Sequence, residues 1–192
     1  MTHPKLDAPG KGLPFYERLA IKHVALPKFY KATSWDDRVA LFVRQGDKLA
    51  SLVKAHEQRS DERVLVSRVP GLEDSSRFWS LNMVLTHLIA VGSDMGQLVV
   101  DLSRGHVPER MVDIASYKPK AGTKVEAFAD FQASFVKRMT DEVQDRKSSA
   151  RFPHPWFGPF TADMWLGMAA LHQRLHRQQA EAIVRGFNSI SM

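Results

Sequence analysis

Two histidines four residues apart, His172 and His176, lie on the apolar side of a long periodic segment near the C-terminal end, and a third, His87, lies inside an earlier one. Imidazole nitrogen is a good ligand for divalent transition ions, and residues at i and i+4 share one face of a helix, so His172 and His176 can reach the same ion. A third imidazole from a facing helix completes a three-nitrogen set with positions left open for water or substrate. Neutral ligands leave such an ion its full dipositive charge, which lowers the pKa of a bound water or thiol and creates a nucleophile that the chain itself lacks. The alternative is a set of buried histidines that are hydrogen-bonded for structural reasons alone. No glutamate follows His172, so the His-Glu-x-x-His pattern of zinc proteases is absent.

The helix carrying the pair separates cleanly when projected at about 100° per residue. Trp165, Met168, Ala169, His172, His176, Gln179 and Ile183 gather on one side. Gln173, Arg174, Arg177, Gln178, Glu181 and Arg185 occupy the rest of the circumference. Polar groups on the inward side are costly unless they are hydrogen-bonded or metal-bound. His87 sits on the shoulder of its own stripe, near Ser80, Met83, Val91 and Asp94. Gln179 and Asp94 are therefore candidates to orient an imidazole or bound water, and Asp94 is the candidate general base. His154 can approach from a loop, although its neighbours Pro155, Gly158 and Pro159 suit a segment that fixes the start of the last helix. Trp79, Trp156 and Trp165 read as packing residues, and His3, His23, His56 and His106 as solvent-facing.

Four amphipathic stretches must position these groups. The first begins at Ser34, with Asp37 placed for a capping box, and runs to about residue 56. The second starts between residues 76 and 80 and ends by Gly105, the third spans about 123 to 147, and the fourth runs from a Thr161 cap to Gly186. Val64 to Val66 reads as briefly extended, and no segment alternates like a sheet strand. The pattern predicts an all-α four-helix bundle over residues 34 to 192, preceded by an N-terminal extension, residues 1 to 33.

Composition narrows the function classes. The 192 residues are 44% hydrophobic and 25% charged, which suits one globular domain rather than a disordered chain. With no cysteine, disulfides, thiolate metal sites and cysteine nucleophiles are excluded together. Six basic residues against two acidic ones in the extension account for +4 of the net +6, leaving no basic helix face for nucleic acid. A solvated arm or a segment wrapped on the body is expected there. No uninterrupted apolar run has the length of a membrane span, and Met1 to Asp7 lack the apolar stretch of a signal peptide, so a cytoplasmic protein is expected. Glycine-rich phosphate loops and Ser-His-Asp groupings are absent from the sequence.

The run His154-Pro155-Trp156-Phe157-Gly158-Pro159-Phe160-Thr161, followed by Trp165, His172, His176 and Gln179, resembles the DinB-like superfamily, in particular a branch of unknown function with a His-Pro-x-Phe-Gly loop before its last helix. Trp79-Ser80 and Leu85-Thr86-His87-Leu88 are similar to that family's tryptophan and histidine on the second helix. The landmarks span residues 76 to 186. The resemblance implies a four-helix bundle, often a homodimer, with zinc or nickel, or else iron, on His87, His172 and His176. It implies a small-molecule substrate, with low-molecular-weight thiols used by some relatives in transferase or isomerase reactions. Many members have no known reaction, so a non-catalytic bundle that binds a ligand or partner is the alternative expectation. Where a common version of the final motif has adjacent histidines, this chain has Leu175 before His176.

Overall fold

Residues 4 to 189 are described by the structure, a computed structural model. After Ser34, whose hydroxyl accepts the Asp37 N–H while the Asp37 carboxylate takes the Ser34 N–H, helix α3 (Trp35–Ala55) begins as the capping-box spacing predicts. Helix α4 (Leu81–Ser103) opens on a Ser80 cap to the Met83 N–H. Helices α5 (Val125–Asp141) and α6 (Ala162–Ser189) complete the long set. Each of α3 and α4 packs against both α5 and α6, so the four helices enclose a common core that includes Phe42, Leu49, Leu85, Phe128, Phe135 and Ile183. The α4–α6 contact is the one that matters for chemistry, because it brings the His87 side of one helix against the His172 side of the other.

The extension is not a free arm. Helices α1 (Phe15–Ala20) and α2 (Leu26–Ala32), joined by a π-helical turn at Ile21–Ala25, lie on the body. Leu13 and Leu26 are buried, the Tyr30 hydroxyl donates to the Met164 carbonyl at 2.8 Å, and the Gly12 N–H donates to Glu73 at 2.9 Å. Arg38, almost wholly buried, donates to the Tyr30 and Thr33 carbonyls and pairs with Asp163, tying the extension to the starts of α3 and α6.

The structure corrects several sequence expectations. Helix α5 stops at Asp141 rather than near 147, because the Gln144 and Asp145 N–H groups turn back to bond Ser103 at the end of α4. Helix α6 passes through Gly186 instead of ending there. A side chain at Gly186 would come within 2.4 Å of Val64 Cγ1, so the glycine serves a close approach, not termination. Gln173 points inward, with its amide nitrogen 2.8 Å from the Phe42 carbonyl and 2.9 Å from Gln132 Oε1. Packed on both α3 and α4, α6 buries a wider arc than its single apolar stripe suggests.

Two short antiparallel pairs also form. Strand β1 (Val64–Leu65), at the expected extension, pairs with β2 (Phe78–Trp79). Strand β3 (Phe152–His154) pairs with β4 (Gly158–Phe160), so the His-Pro-x-Phe-Gly segment is a hairpin, with Gly158 at φ +96°. Strands of two or three residues are too short to display an alternating period. Helix α4 is long and apolar enough to cross a membrane, with mean hydropathy 1.4, although 67% of that stretch is buried against the rest of the protein.

Candidate metal centre

His87 projects from α4, and His172 and His176 from α6, toward one point. The His172 Nε2 lies 3.2 Å from His87 Nε2 and 3.1 Å from His176 Nε2. One nitrogen of each ring falls within 4.8 Å of the other two. The opposite nitrogens fix the tautomers. His87 Nδ1 is 2.8 Å from the Tyr117 carbonyl, which can only accept, so the proton is on Nδ1. His176 Nδ1 is 2.7 Å from Gln179 Oε1, and the orientation of that amide is set by its own nitrogen donating to the Ser76 carbonyl at 2.7 Å. Both rings therefore present bare Nε2 lone pairs to His172.

Such convergence has a physical consequence. Lone pairs this close repel unless a proton or a metal ion lies between them, and His172 Nε2 faces two at once. Two nitrogens bound to one tetrahedral zinc at about 2.0–2.1 Å stand about 3.3–3.4 Å apart, close to the separations found here. The donor set therefore fits a divalent ion of the imidazole-preferring class. Desolvation reinforces the fit. It lowers the His87 pKa to about 4 and pushes His172 and His176 well below the ordinary histidine value, assisted by the other imidazoles and Lys118. Neutral rings need lose no proton to become ligands.

The surroundings hold the rings in place. Trp79 stacks nearly parallel to His176, with centroids 5.8 Å apart, and lies 5.0 Å from His87. Behind it Lys118 Nζ is 2.5 Å from Glu73 Oε2 and 2.7 Å from Ser76 Oγ. Burial lowers the Lys118 pKa. It also opposes Glu73 ionisation, but hydrogen bonds from Lys118, the Gly12 N–H and Ser75 outweigh it and hold that carboxyl below its usual value.

A cavity of about 140 Å³ lies against the three histidines, walled by α4, α6, the 106–120 link and the β3–β4 hairpin. Asp94 lines it, with its carboxylate engaged by Arg110 at 2.7 and 2.9 Å and by the Tyr117 hydroxyl, not by an imidazole. The Tyr117 pKa is pushed up to about 12 by burial and by that hydrogen bond. His154 lines the same cavity. Its Nδ1 accepts the Trp156 N–H at 3.2 Å, its ring stacks on Phe157, and burial lowers its pKa to about 3.

Protein-family models, curated proteins and solved structures give no match to this chain.

Thus five of the six sequence-predicted residues share one neighbourhood around the cavity, His87, His172, His176, Asp94 and His154, with Gln179 bonded to His176 behind it. Trp79 and Trp165 are buried, and Trp165 and Trp156 both line the cavity. His23 and His106 are exposed. His56 is instead half-buried, with Nδ1 at 2.9 Å from the Leu52 carbonyl, because its ring closes the end of α3. His3 lies outside the described residues. Sequence reasoning missed the Tyr117 carbonyl, a backbone atom with no residue-type signal, and the Lys118–Glu73 pair, whose members stand far apart in the chain.

Proposed function

We propose that this chain is a DinB-like four-helix bundle that holds a divalent ion, zinc or nickel before iron, on His87, His172 and His176 and serves a metal-dependent transferase or hydrolase reaction on a small molecule. The observation that carries this reading is the meeting of three Nε2 atoms, two of them with tautomers fixed from behind. When bound, the ion would supply Lewis-acid chemistry, lowering the pKa of a thiol or water and so making a nucleophile near neutral pH.

The chain's own part is orientation and exclusion. The Tyr117 carbonyl and Gln179 hold two imidazoles against rotation, and Trp79 blocks the far side of the pair. Val91, Met95, Leu98 and Val112 give the cavity an apolar wall. Asp94 acts as a positioning residue: it secures Tyr117, whose backbone secures His87. The resemblance of residues 76 to 186 to DinB-like proteins supports the same reading. It carries with it a low-molecular-weight thiol as co-substrate and a homodimer as further proposals; a cytoplasmic setting is proposed separately.

Elemental analysis of protein purified without a metal-affinity tag tests the core of this reading. Close to one zinc, nickel or iron ion per chain, lost in His172→Ala, is the expected result. A metal-free chain that takes up none of these ions, with stability indifferent to His172→Ala, would overturn it in favour of a non-catalytic bundle.

A further inference from the structure

The charges around the cavity are already spent on one another. Arg110 is held by Asp94, and Lys118 by Glu73. Apart from an ion on the three histidines, an anionic substrate would find no unpaired side-chain cation there, and a cationic one no free carboxylate. The remaining wall is largely aliphatic and aromatic, and the volume of about 140 Å³ is near that of an engineered apolar cavity of about 150 Å³ that binds benzene.

A polar edge stays open on His154, within this wall. His154 Nδ1 is occupied by the Trp156 N–H, a group that can only donate, so the ring proton is on Nε2. His154 Nε2 has no hydrogen-bond partner among the described residues. Among the described residues no buried side-chain nitrogen or oxygen lacks a partner, so this Nε2–H is accessible, and the residue lines the cavity. The ring is clamped by Phe157 at 4.7 Å, Phe160 at 5.2 Å and Trp165 at 5.3 Å, which leaves its donor rigidly placed. A fixed neutral donor in an apolar chamber selects for a matching acceptor, because an analogue without one leaves the donor unpaired.

We infer that His154 is a substrate-binding residue that donates from Nε2 to a neutral acceptor oxygen on a compact, uncharged, mostly apolar molecule, such as a small carbonyl compound, held beside the three histidines. The inference rests on the cavity being the substrate site, and the low pKa of the ring agrees with its staying neutral.

Cyclohexanone, its carbon isostere methylenecyclohexane and cyclohexanecarboxylate are suitable probes, titrated into the full zinc-free chain by ligand-observed NMR. The ketone is expected to bind about five- to tenfold more tightly than the isostere, as one net hydrogen bond allows, and the carboxylate at least tenfold more weakly than the ketone. In His154→Phe, which keeps the ring stack, the ketone preference should fall within twofold, and His154→Gln, which restores a donor, should recover part of it. Equal binding of ketone and isostere, absence of binding by either, preference for the carboxylate, or a ketone preference that survives His154→Phe would each overturn the assignment. Because the zinc-free titration reads the donor alone, a chain that takes up no metal yet keeps the His154-dependent preference would sink the metal reading and leave this one intact.

Discussion

Replacing Gln179 by leucine removes the group that links His176 to the body of the protein while nearly conserving volume. Gln179 is fully buried and makes two short bonds, one to His176 Nδ1 and one to the Ser76 carbonyl. Each partner left unpaired in the interior costs about 1–3 kcal/mol, so Gln179→Leu should destabilise the metal-free chain by about 2–5 kcal/mol. For a chain of this size that is a fall in Tm of roughly 4–20 °C. The second effect is chemical. Without Gln179 the His176 ring can turn or change tautomer, and losing such a partner typically lowers metal affinity about 10- to 100-fold. Gln179→Glu separates the two effects, since it keeps an acceptor for Nδ1–H but loses the donor to Ser76. Thermal melts read stability, and zinc competition against a chromophoric chelator reads affinity. Lower stability in both variants, with weakened zinc binding only in Gln179→Leu, is the expected pattern. Zinc affinity unchanged within twofold in Gln179→Leu would refute the idea that Gln179 serves the centre.

Three further outcomes follow from the same geometry. Histidines held neutral in the folded chain, with pKa values below the unfolded value of about 6.5, stabilise fully above that value, and the stabilisation is lost as pH falls through the folded pKa; for His87 the window runs from about 6.5 down to about 4, on the order of 3 kcal/mol, and chemical denaturation across that range should show metal-free stability falling with pH. Asp94→Asn should leave zinc affinity within about threefold by chelator competition, because the amide oxygen can still accept from the Tyr117 hydroxyl and so keep Tyr117 against His87, and a loss of tenfold or more would refute that positioning by hydrogen bond suffices. Gly186→Val should cost about 1–3 kcal/mol in urea unfolding, since its side chain meets Val64, whereas an unchanged midpoint would return Gly186 to the status of a dispensable helix position.

Much of the centre was legible because it is written in helical periodicity. The interval from His172 to His176 and then Gln179 fixes a face whatever the surrounding topology, and all three point inward. His87 was legible only as a shoulder position, and the α4–α6 packing decides that it faces the pair. Other parts depend on three-dimensional neighbours with no local signature. Tyr117 contributes a backbone carbonyl from an irregular link, and His154 is drawn to the cavity by a hairpin whose strands are three residues each. Gln173 illustrates the opposite failure: a polar residue on a charged arc, it is buried because two helices, not one, cover α6. The extension read equally well as an arm or a wrapped segment, since its attachment, through buried Leu13 and Leu26 and bonds such as those of Gly12 and Tyr30, is to residues distant in the chain.

X-ray absorption spectroscopy of the zinc-loaded chain addresses the three-histidine centre most directly. About three imidazole nitrogens at about 2.0–2.1 Å, with the outer-shell scattering of the rings and one ion per chain, are predicted, and this signature should vanish in the His87→Ala, His172→Ala, His176→Ala triple variant. An all-oxygen shell, or the same spectrum from the triple variant, would contradict the account.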